Sequence, residues 1–199
     1  MPKFIRDDFD KFHDYGCLIP ERIIYFGSEF YEEDGGESGV DFASTSKLIK
    51  NILYLDRKDH KKPIYLHYSS PGGDWDRGVA VHDCIDGVKA RVVMIGYGCV
   101  RSMGTVIMQA CHKRFLTPHC RFMIHDGTMG DYGTSEDFWR SAKEGEVIRN
   151  QMHDIYLVRM LKKDPLITRA KIRKMCEHDY YMSGEKAVEL GLADKVLKN

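Results

Sequence analysis

Short apolar runs alternate with amphipathic stretches along the chain, and this alternation predicts its secondary structure. Runs rich in β-branched and aromatic residues, which are typical of strands, lie at 22–26, 63–69, 90–96, 113–117 and 121–125. Apolar residues at helical spacing lie between them at 44–55, 75–88 and 102–110. Strands that alternate with helices at this spacing predict an α/β fold with parallel strand pairing.

A longer helical pattern follows the strand at 121–125. Thr134, with Asp137 three residues on, resembles a capping box, and Asp164-Pro165 provides a stop signal. The apolar stripe is broken only at Gly145. One interpretation is two helices with a kink at Gly145. The other is one helix of about 40 Å, at ~1.5 Å per residue, that projects to pack against another subunit.

The last third of the chain predicts two further helices around a short strand. Thr168 and Ser183 are candidate N-caps, and Gly191 is a candidate C-terminal stop. The letters DYYM (179–182) between the two helices fit a strand. Two segments have loop composition: the acidic, glycine-rich 31–41 and the charged 56–63.

Composition narrows the class of protein. A chain of 199 residues is long enough for one domain with a substantial core. Thirty basic and thirty acidic side chains cancel, so a nucleic-acid partner is disfavoured. The apolar runs fall far short of the roughly 18 residues of a membrane span. The charged N-terminus lacks an apolar signal core, so we expect a cytoplasmic protein without a membrane partner.

The six cysteines are predicted to be free thiols, because no C-x-x-C pair and no export signal accompany them. Residues 111–120, CHKRFLTPHC, contain two cysteines and two histidines, a donor set that zinc accepts. Adjacent Cys and His side chains point to opposite faces of a strand, so the four rarely converge. We therefore favour structural thiols and surface imidazoles, and predict no metal and no cofactor.

The letters YGCVRSMGTVIMQACHK (97–113) place a single serine, Ser102, between Gly98 and Gly104 at the start of an apolar helix. Small residues around one hydroxyl suit a nucleophile, and the helix N-terminus adds a positive dipole end. The following residue, Met103, would offer its N–H to an oxyanion. The alternative is an ordinary helix cap. The pattern is not the G-x-S-x-G elbow of α/β-hydrolases.

Three further positions complete a candidate site for acyl transfer. In SSPGGDWDRGV (69–79) a strand runs through Pro-Gly-Gly into a helix, which offers the Gly73 N–H as a second oxyanion donor, or forms a plain tight turn. His125 ends a strand before a glycine-rich loop, as a general base should. Asp179 is the candidate carboxylate that orients it; otherwise Asp179 merely begins a strand.

Taken in chain order, these motifs resemble the proteolytic subunit of the Clp protease, ClpP, within the crotonase-like fold. The resemblance runs from about Phe9 to Leu197 and is carried by five stretches: ERIIYFGSE, IYLHYSSPGGDWDRGVAVHDCI, GYGCVRSMGT, KRFLTPHCRFMIHDG and DYYMSGEKAVELGLADKV. It implies one α/β domain over 1–199 built of repeated β-β-α units. Its parts would be an N-terminal segment (1–20), a head (22–133 with 165–199) and a projecting handle helix (134–164).

The resemblance also implies an activity and its residues. Ser102 would be the nucleophile, His125 the base and Asp179 its partner, with the Gly73 and Met103 N–H groups as oxyanion donors. Family members are serine endopeptidases that stack two seven-membered rings into a barrel with the active sites inside, so the resemblance implies a homo-oligomer in a double seven-membered ring. An ATP-driven unfoldase of the Clp (AAA+) type docks on the barrel and feeds it unfolded polypeptides, so ATP is used by the partner and not by this chain.

The sequence departs from the family pattern at several positions. His178 stands where an arginine usually bridges the rings, and a histidine makes such a contact pH-dependent. The unfoldase pocket retains Tyr65 and Phe115, but larger apolar residues are usual at His67, Gly87 and Thr117. Each lost apolar contact costs about 1.5–3 kcal/mol, so standard docking should be weaker. The acidic 31–41 segment resembles an insertion.

Two other classes share this layout. A non-catalytic subunit that regulates a mixed ring would normally lack one of Ser102, His125 and Asp179, and all three are present. A crotonase-fold acyl-CoA enzyme would carry glutamates at the site in place of Ser102 and His125. We therefore predict an active peptidase.

Overall fold

The computed structural model describes residues 6–27 and 39–198, which contain seven helices and eight strands. The helices are α1 (Arg6–Tyr15), α2 (Phe42–Lys58), α3 (Trp75–Gly87), α4 (Met103–Ala110), α5 (Ser135–Met160), α6 (Arg169–Cys176) and α7 (Gly184–Glu189). The strands are β1 (Cys17–Leu18), β2 (Ile23–Phe26), β3 (Ile64–Ser70), β4 (Val92–Arg101), β5 (Lys113–Leu116), β6 (Arg121–Ile124), β7 (Tyr180–Met182) and β8 (Lys195–Val196).

Within the described ranges the strands form one mostly parallel sheet in the order β1-β2-β3-β4-β5-β8. Only β1 runs antiparallel to its neighbour on this path. Strand β6 pairs in parallel with β4, and β7 pairs antiparallel with β6. Helices connect most of the parallel strands, as parallel pairing requires. The predicted α/β fold is confirmed.

Strand β4 shapes the region around the candidate site. Its first half pairs with β5 and its second half, Cys99–Arg101, pairs with β6. The pairing with β3 shifts register between Tyr68 and Ser70, and on the β4 side Gly98 has a φ of 53°. The sequence predicted a strand only over 90–96. Gly98 lies at a bulge, and the strand continues beyond it to Arg101.

Helix α4 is the most deeply buried element of the core, with all of its residues buried. Apart from Thr105 and Gln109 its residues are apolar, and a helix of this kind is typically enclosed by other elements. Helices α2 and α3 bury single stripes, such as Leu48 and Ile52 on α2 and Val81 on α3. The N-terminal end of α4 is thereby held rigidly where β4 ends.

Helix α5 is continuous through Gly145, so the interpretation as two kinked helices is wrong. Its length is about 39 Å, at ~1.5 Å per residue. The predicted capping box is confirmed: Thr134 Oγ1 accepts the Asp137 N–H, and Asp137 accepts the Thr134 N–H. A Cβ on Gly145 would overlap the Met129 sulfur. This glycine therefore gives the loop after His125 space to pack against the helix.

The remaining elements agree with the pattern at most positions. Thr168 and Ser183 cap α6 and α7 as predicted, and Gly191 follows α7 with a φ of 81°. Helix α2 begins earlier than predicted, because Asp41 forms a capping box with Ser44. Helix α1 lies in the N-terminal segment for which no helix was predicted. Residues 31–38 of the acidic segment lie outside the described ranges.

Other expectations concern the membrane and the thiols. None of the helices described combines the length and the apolar character that crossing a bilayer requires. All six cysteines are free, as predicted, and four of them are buried.

Candidate active site

Ser102 lies between β4 and α4 in a backbone conformation that side-chain-bearing residues rarely adopt. Its φ is 49° and its ψ is −124°. It occupies the N-cap position of α4, yet its side chain accepts no hydrogen bond from the helix. The Ser102 N–H donates to the Met123 carbonyl on β6 at 2.8 Å, which fixes the turn. The interpretation of Ser102 as an ordinary helix cap is therefore wrong.

The Ser102 hydroxyl instead lies beside His125. Ser102 Oγ is 2.8 Å from His125 Nε2, and His125 Nδ1 is 2.8 Å from Asp179 Oδ1. A hydrogen on Nδ1 that is donated to the carboxylate leaves the Nε2 lone pair free to accept the serine hydroxyl. This is the tautomer that a general base requires.

The sheet explains why these three side chains meet. His125 follows β6 directly, and Asp179 precedes β7, which pairs antiparallel with β6 through Ile124 and Tyr180. Strand β6 also lies beside the end of β4, where Ser102 begins the turn. Ser102 is half-buried, whereas 53% of the Asp179 side chain is exposed. The Tyr181 hydroxyl lies 3.4 Å from the other Asp179 oxygen and donates to it.

Gly73 and Met103 present backbone N–H groups near this serine. The Val40 N–H donates to Gly72 O and the Asp74 N–H donates to Val40 O. These two bonds flank Gly73, whose own N–H has no acceptor among the described residues. A Cβ on Gly73, whose φ is 148°, would overlap the Val40 carbonyl. Met103 is the first residue of α4, so its N–H has no intrahelical acceptor.

A cleft of about 540 Å³ opens in front of these residues. Ser102, Gly73 and His125 lie along it. Apolar side chains supply much of the remaining wall: Trp75, Val106, Met129, Ile148 and Met152. The cleft is therefore large enough for a peptide segment and offers apolar surface to its side chains.

The segment CHKRFLTPHC does not bring its two cysteines and two histidines together. Among the described residues these four donors form no cluster of potential ligands. Cys111 and Cys120 are buried, and burial raises the pKa of each thiol to about 12. The His112 Nδ1 accepts the Val92 N–H at 3.3 Å. The two cysteines therefore belong to the core, whereas His112 and His119 are exposed.

The sequence reasoning missed one pair beside the site, Asp126 and His153. Strand β6 ends at Ile124, so neither His125 nor Asp126 belongs to it. The Asp126 carboxylate contacts His153 Nε2 on α5 at 2.7 Å. The available signal was a histidine between Met152 and Tyr156 on the buried stripe of that helix.

Serine, histidine and aspartate in a single hydrogen-bonded series, at the start of a buried helix, define the class of site found in serine hydrolases. The sequence model described as Clp protease matches residues 8–199. The chain therefore belongs to the Clp protease family, and with it to the peptidases. Family membership favours neither the acyl-CoA enzyme nor the non-catalytic subunit.

Curated relatives match over most of their length. The ATP-dependent Clp protease proteolytic subunit 3 of Synechococcus sp. (strain CC9605) is 37% identical over 189 residues, which cover 93% of this chain and 86% of the relative. The ATP-dependent Clp protease proteolytic subunit of Deinococcus radiodurans is 31% identical over 185 residues, 92% of this chain and 83% of the relative. The recognition made from the motifs is confirmed.

Proposed function

We propose that this chain is a serine endopeptidase with Ser102 as nucleophile, His125 as general base and Asp179 as the carboxylate that orients the base. The observation that carries the proposal is the pair of 2.8 Å contacts that link the three side chains. The unusual backbone of Ser102 adds support, because strained residues cluster at functional sites.

The reaction follows from this geometry. His125 Nε2 takes the proton from Ser102 Oγ as that oxygen attacks the carbonyl carbon of the scissile peptide bond. The N–H groups of Gly73 and Met103 donate to the oxyanion that forms. The protonated His125 then gives its proton to the leaving amine, and the carbonyl stays on Ser102 as an ester. Water, activated by His125, hydrolyses the ester, so no cofactor takes part.

The substrate class follows from the cleft and the family. An extended segment of unfolded polypeptide can reach a cleft that is lined by backbone N–H groups and apolar side chains. The apolar wall formed by residues such as Trp75 and Met152 favours apolar substrate side chains beside the cleaved bond. A folded protein offers few such segments, so unfolded chains are the expected substrates.

We also infer that the chain works as a homo-oligomer, in the double seven-membered ring expected from the resemblance. The first half of α5 supports this inference, because it exposes large apolar side chains, including Phe138 and Trp139 at 59% and 62%. Exposed apolar surface of this kind marks contacts with other subunits. Analytical ultracentrifugation gives the mass of the assembly directly.

An ATP-driven unfoldase of the Clp type is the proposed partner, and its docking surface is unusually polar. On the exposed face of β3, the His67 ring stacks on Tyr97 at 5.5 Å and hydrogen-bonds its hydroxyl at 2.8 Å. Burial lowers the pKa of His67, which keeps the ring neutral. The Thr117 hydroxyl donates to the Gly96 carbonyl, and a Cβ built on Gly87 would meet no atom of the described residues within 4 Å. We expect weaker apolar docking at this surface.

The experiment that tests the active site is the intact mass after fluorophosphonate treatment, together with peptide hydrolysis. We expect one adduct per chain on the wild type and none on Ser102→Ala, which should assemble normally and lose hydrolysis. Ser46→Ala, on helix α2, is the matched control. It should keep both the adduct and peptide hydrolysis. An adduct on Ser102→Ala would overturn the assignment. An unlabelled wild type would favour the non-catalytic subunit.

A further inference from the structure

The residue that follows His125 is held by two helices. The Asp126 N–H donates to the Cys176 carbonyl, the last residue of α6, at 2.8 Å. The Asp126 carboxylate lies 2.7 Å from His153 Nε2 on α5. The His153 side chain is completely buried, whereas 21% of the Asp126 side chain is exposed. A buried imidazole thus meets a carboxylate that is partly open to the cleft.

These contacts matter because the strand ends just before them. The last residue of β6 that pairs with β7 is Ile124, so sheet hydrogen bonds stop one residue before His125. Among the described residues, the two Asp126 contacts hold the peptide that follows His125. When the backbone of a residue is fixed on one side and not on the other, its side chain samples more orientations. The imidazole must stay within hydrogen-bond reach of both Ser102 and Asp179.

We infer that His153 is a positioning residue for the peptidase reaction: through Asp126 it fixes the turn after β6, and with it the His125 ring. This inference rests on the proposed roles of Ser102, His125 and Asp179. His153 does not touch substrate. It acts by keeping the His125 ring between Ser102 and Asp179. The position of the base therefore depends on the packing of the second half of helix α5.

Asp126 and His153, together with Cys176, could also be considered as a metal site, but their geometry fits the positioning role better. Potential ligand atoms of Asp126, His153 and Cys176 lie within 4.8 Å of one another. A histidine that binds metal through one nitrogen almost always donates its other ring N–H to an acceptor. His153 Nδ1 is buried and has no partner among the described residues. A hydrogen on Nε2, donated to Asp126, avoids an orphaned buried N–H.

The thiol in the cluster supports the same reading. Burial, reinforced by the Asp126 charge, raises the pKa of Cys176 to about 12. The sulfur therefore stays protonated and adds bulk rather than charge beside His153. The Cys176 backbone carbonyl, and not its side chain, makes the contact with Asp126.

The test replaces His153 by residues that lack or keep the donor. His153→Leu fills a similar volume without a donor, and we expect kcat to fall by about 10–100-fold with little change in KM, because a displaced base slows the chemical step. His153→Gln can place an amide N–H near the same point, and should recover most of the loss. A purely structural role predicts no such recovery of kcat.

Asp154→Asn is the matched control, since Asp154 is the next residue on α5 and forms an ion pair with Arg169 on α6. This change removes a contact between the same two helices on their exposed side, and should leave kcat unchanged. Circular dichroism and assembly mass establish that each variant is folded. If His153→Leu does not fold, Asp126→Ala removes the same contact from the more exposed partner, with the same expected loss of kcat.

A second readout separates this inference from the proposed function. The His125 Nδ1 proton that is donated to Asp179 gives a low-field proton NMR signal, which should weaken or shift in His153→Leu and return in His153→Gln. This signal reports positioning even if the wild type hydrolyses no peptide, a result that would overturn the proposed function alone. Folded His153→Leu with the wild-type kcat and signal, or His153→Gln as impaired as His153→Leu, would overturn the positioning role.

Discussion

Gly72 lies directly against Ser102. A Cβ built on Gly72 would be 2.5 Å from the Ser102 Cβ and 3.0 Å from its Oγ, closer than real side chains approach. Gly72 has a φ of 110° and Ser102 a φ of 49°, so both turns use backbone conformations that are rare outside glycine. The Pro-Gly-Gly turn can therefore bring Gly73 up to the nucleophile only because residue 72 has no side chain.

Gly72→Ala is expected to lower kcat by about 10²-fold or more, the usual effect of losing one oxyanion donor. The added methyl must push apart Ser102 and the turn that carries Gly73. Peptide hydrolysis and the rate of fluorophosphonate labelling measure the effect. Gly130→Ala is the control, because Gly130 lies in the loop after His125 and a Cβ built on it would meet no atom of the described residues within 4 Å. Equal losses in both variants would refute the close-approach argument.

Asp179→Asn is expected to lower kcat by about 10²–10⁴-fold, because an amide favours the wrong tautomer of the base. We expect a decrease near 10²-fold, because about half of the Asp179 side chain is exposed and water can partly replace the interaction of its carboxylate with His125. KM should change little. Steady-state kinetics decide the point, with Asp154→Asn as a control carboxylate. Wild-type kcat in Asp179→Asn would remove Asp179 from the site.

Most residues of the candidate site could be predicted from the sequence, because each one lies in a short sequence pattern that is recognisable without its partners. A serine between glycines, a Pro-Gly-Gly turn and a histidine at a strand end are short-range signals. The partners of these parts are not local. His153 lies 27 residues from Asp126, and only the packing of α5 against the head brings them together. The buried stripe around His153 marks it as an inward-facing histidine but does not identify its partner.

The fold could likewise be predicted where local patterns determine it, and not where contacts between distant residues do. Periodicity located the main strands and helices, but it could not distinguish a glycine bulge from a turn, so the last residues of β4 were missed. Gly145 is the opposite case. The sequence offered a kink, whereas the glycine allows close packing against Met129 in a continuous helix. The bulge glycine, Gly98, and Gly145 both act through residues that are distant in sequence or on another strand. The spacing of apolar residues contains no information about such contacts.

Four buried thiols are expected to resist alkylation in the folded protein. Burial raises the pKa of Cys17 to about 11 and those of Cys111, Cys120 and Cys176 to about 12. Thiolate is the reactive form, so iodoacetamide at pH 8 should modify these residues only after unfolding. Peptide mass mapping with and without denaturant measures the difference. Rapid native modification of Cys176 would show that α6 opens near the site.

Stability at low pH should depend on the ion pair between Asp194 and Arg114. Asp194 Oδ1 lies 2.5 Å from Arg114 Nη2, and Oδ2 accepts the Arg114 N–H at 2.9 Å. Burial raises the pKa of Asp194, but the hydrogen bonds and the positive charge of Arg114 outweigh burial and hold the pKa below the unfolded value of 3.8. The pair therefore stabilises the fold fully above pH 3.8, and this contribution is lost as the pH falls through the folded-state pKa.

Asp194→Asn should accordingly lower the free energy of unfolding by about 1–3 kcal/mol at neutral pH, a value reduced for the partial exposure of the carboxylate. The difference from wild type should shrink as the pH falls below about 4, since the wild-type carboxylate is then protonated as well. Thermal unfolding at fixed protein concentration, from pH 7 to pH 3, measures both effects. Glu189→Gln, which breaks the exposed pair with Lys186, should change stability by less than about 0.5 kcal/mol. A constant gap between Asp194→Asn and wild type across this range would mean that packing at β5 and β8, and not the charge on Asp194, sets the loss.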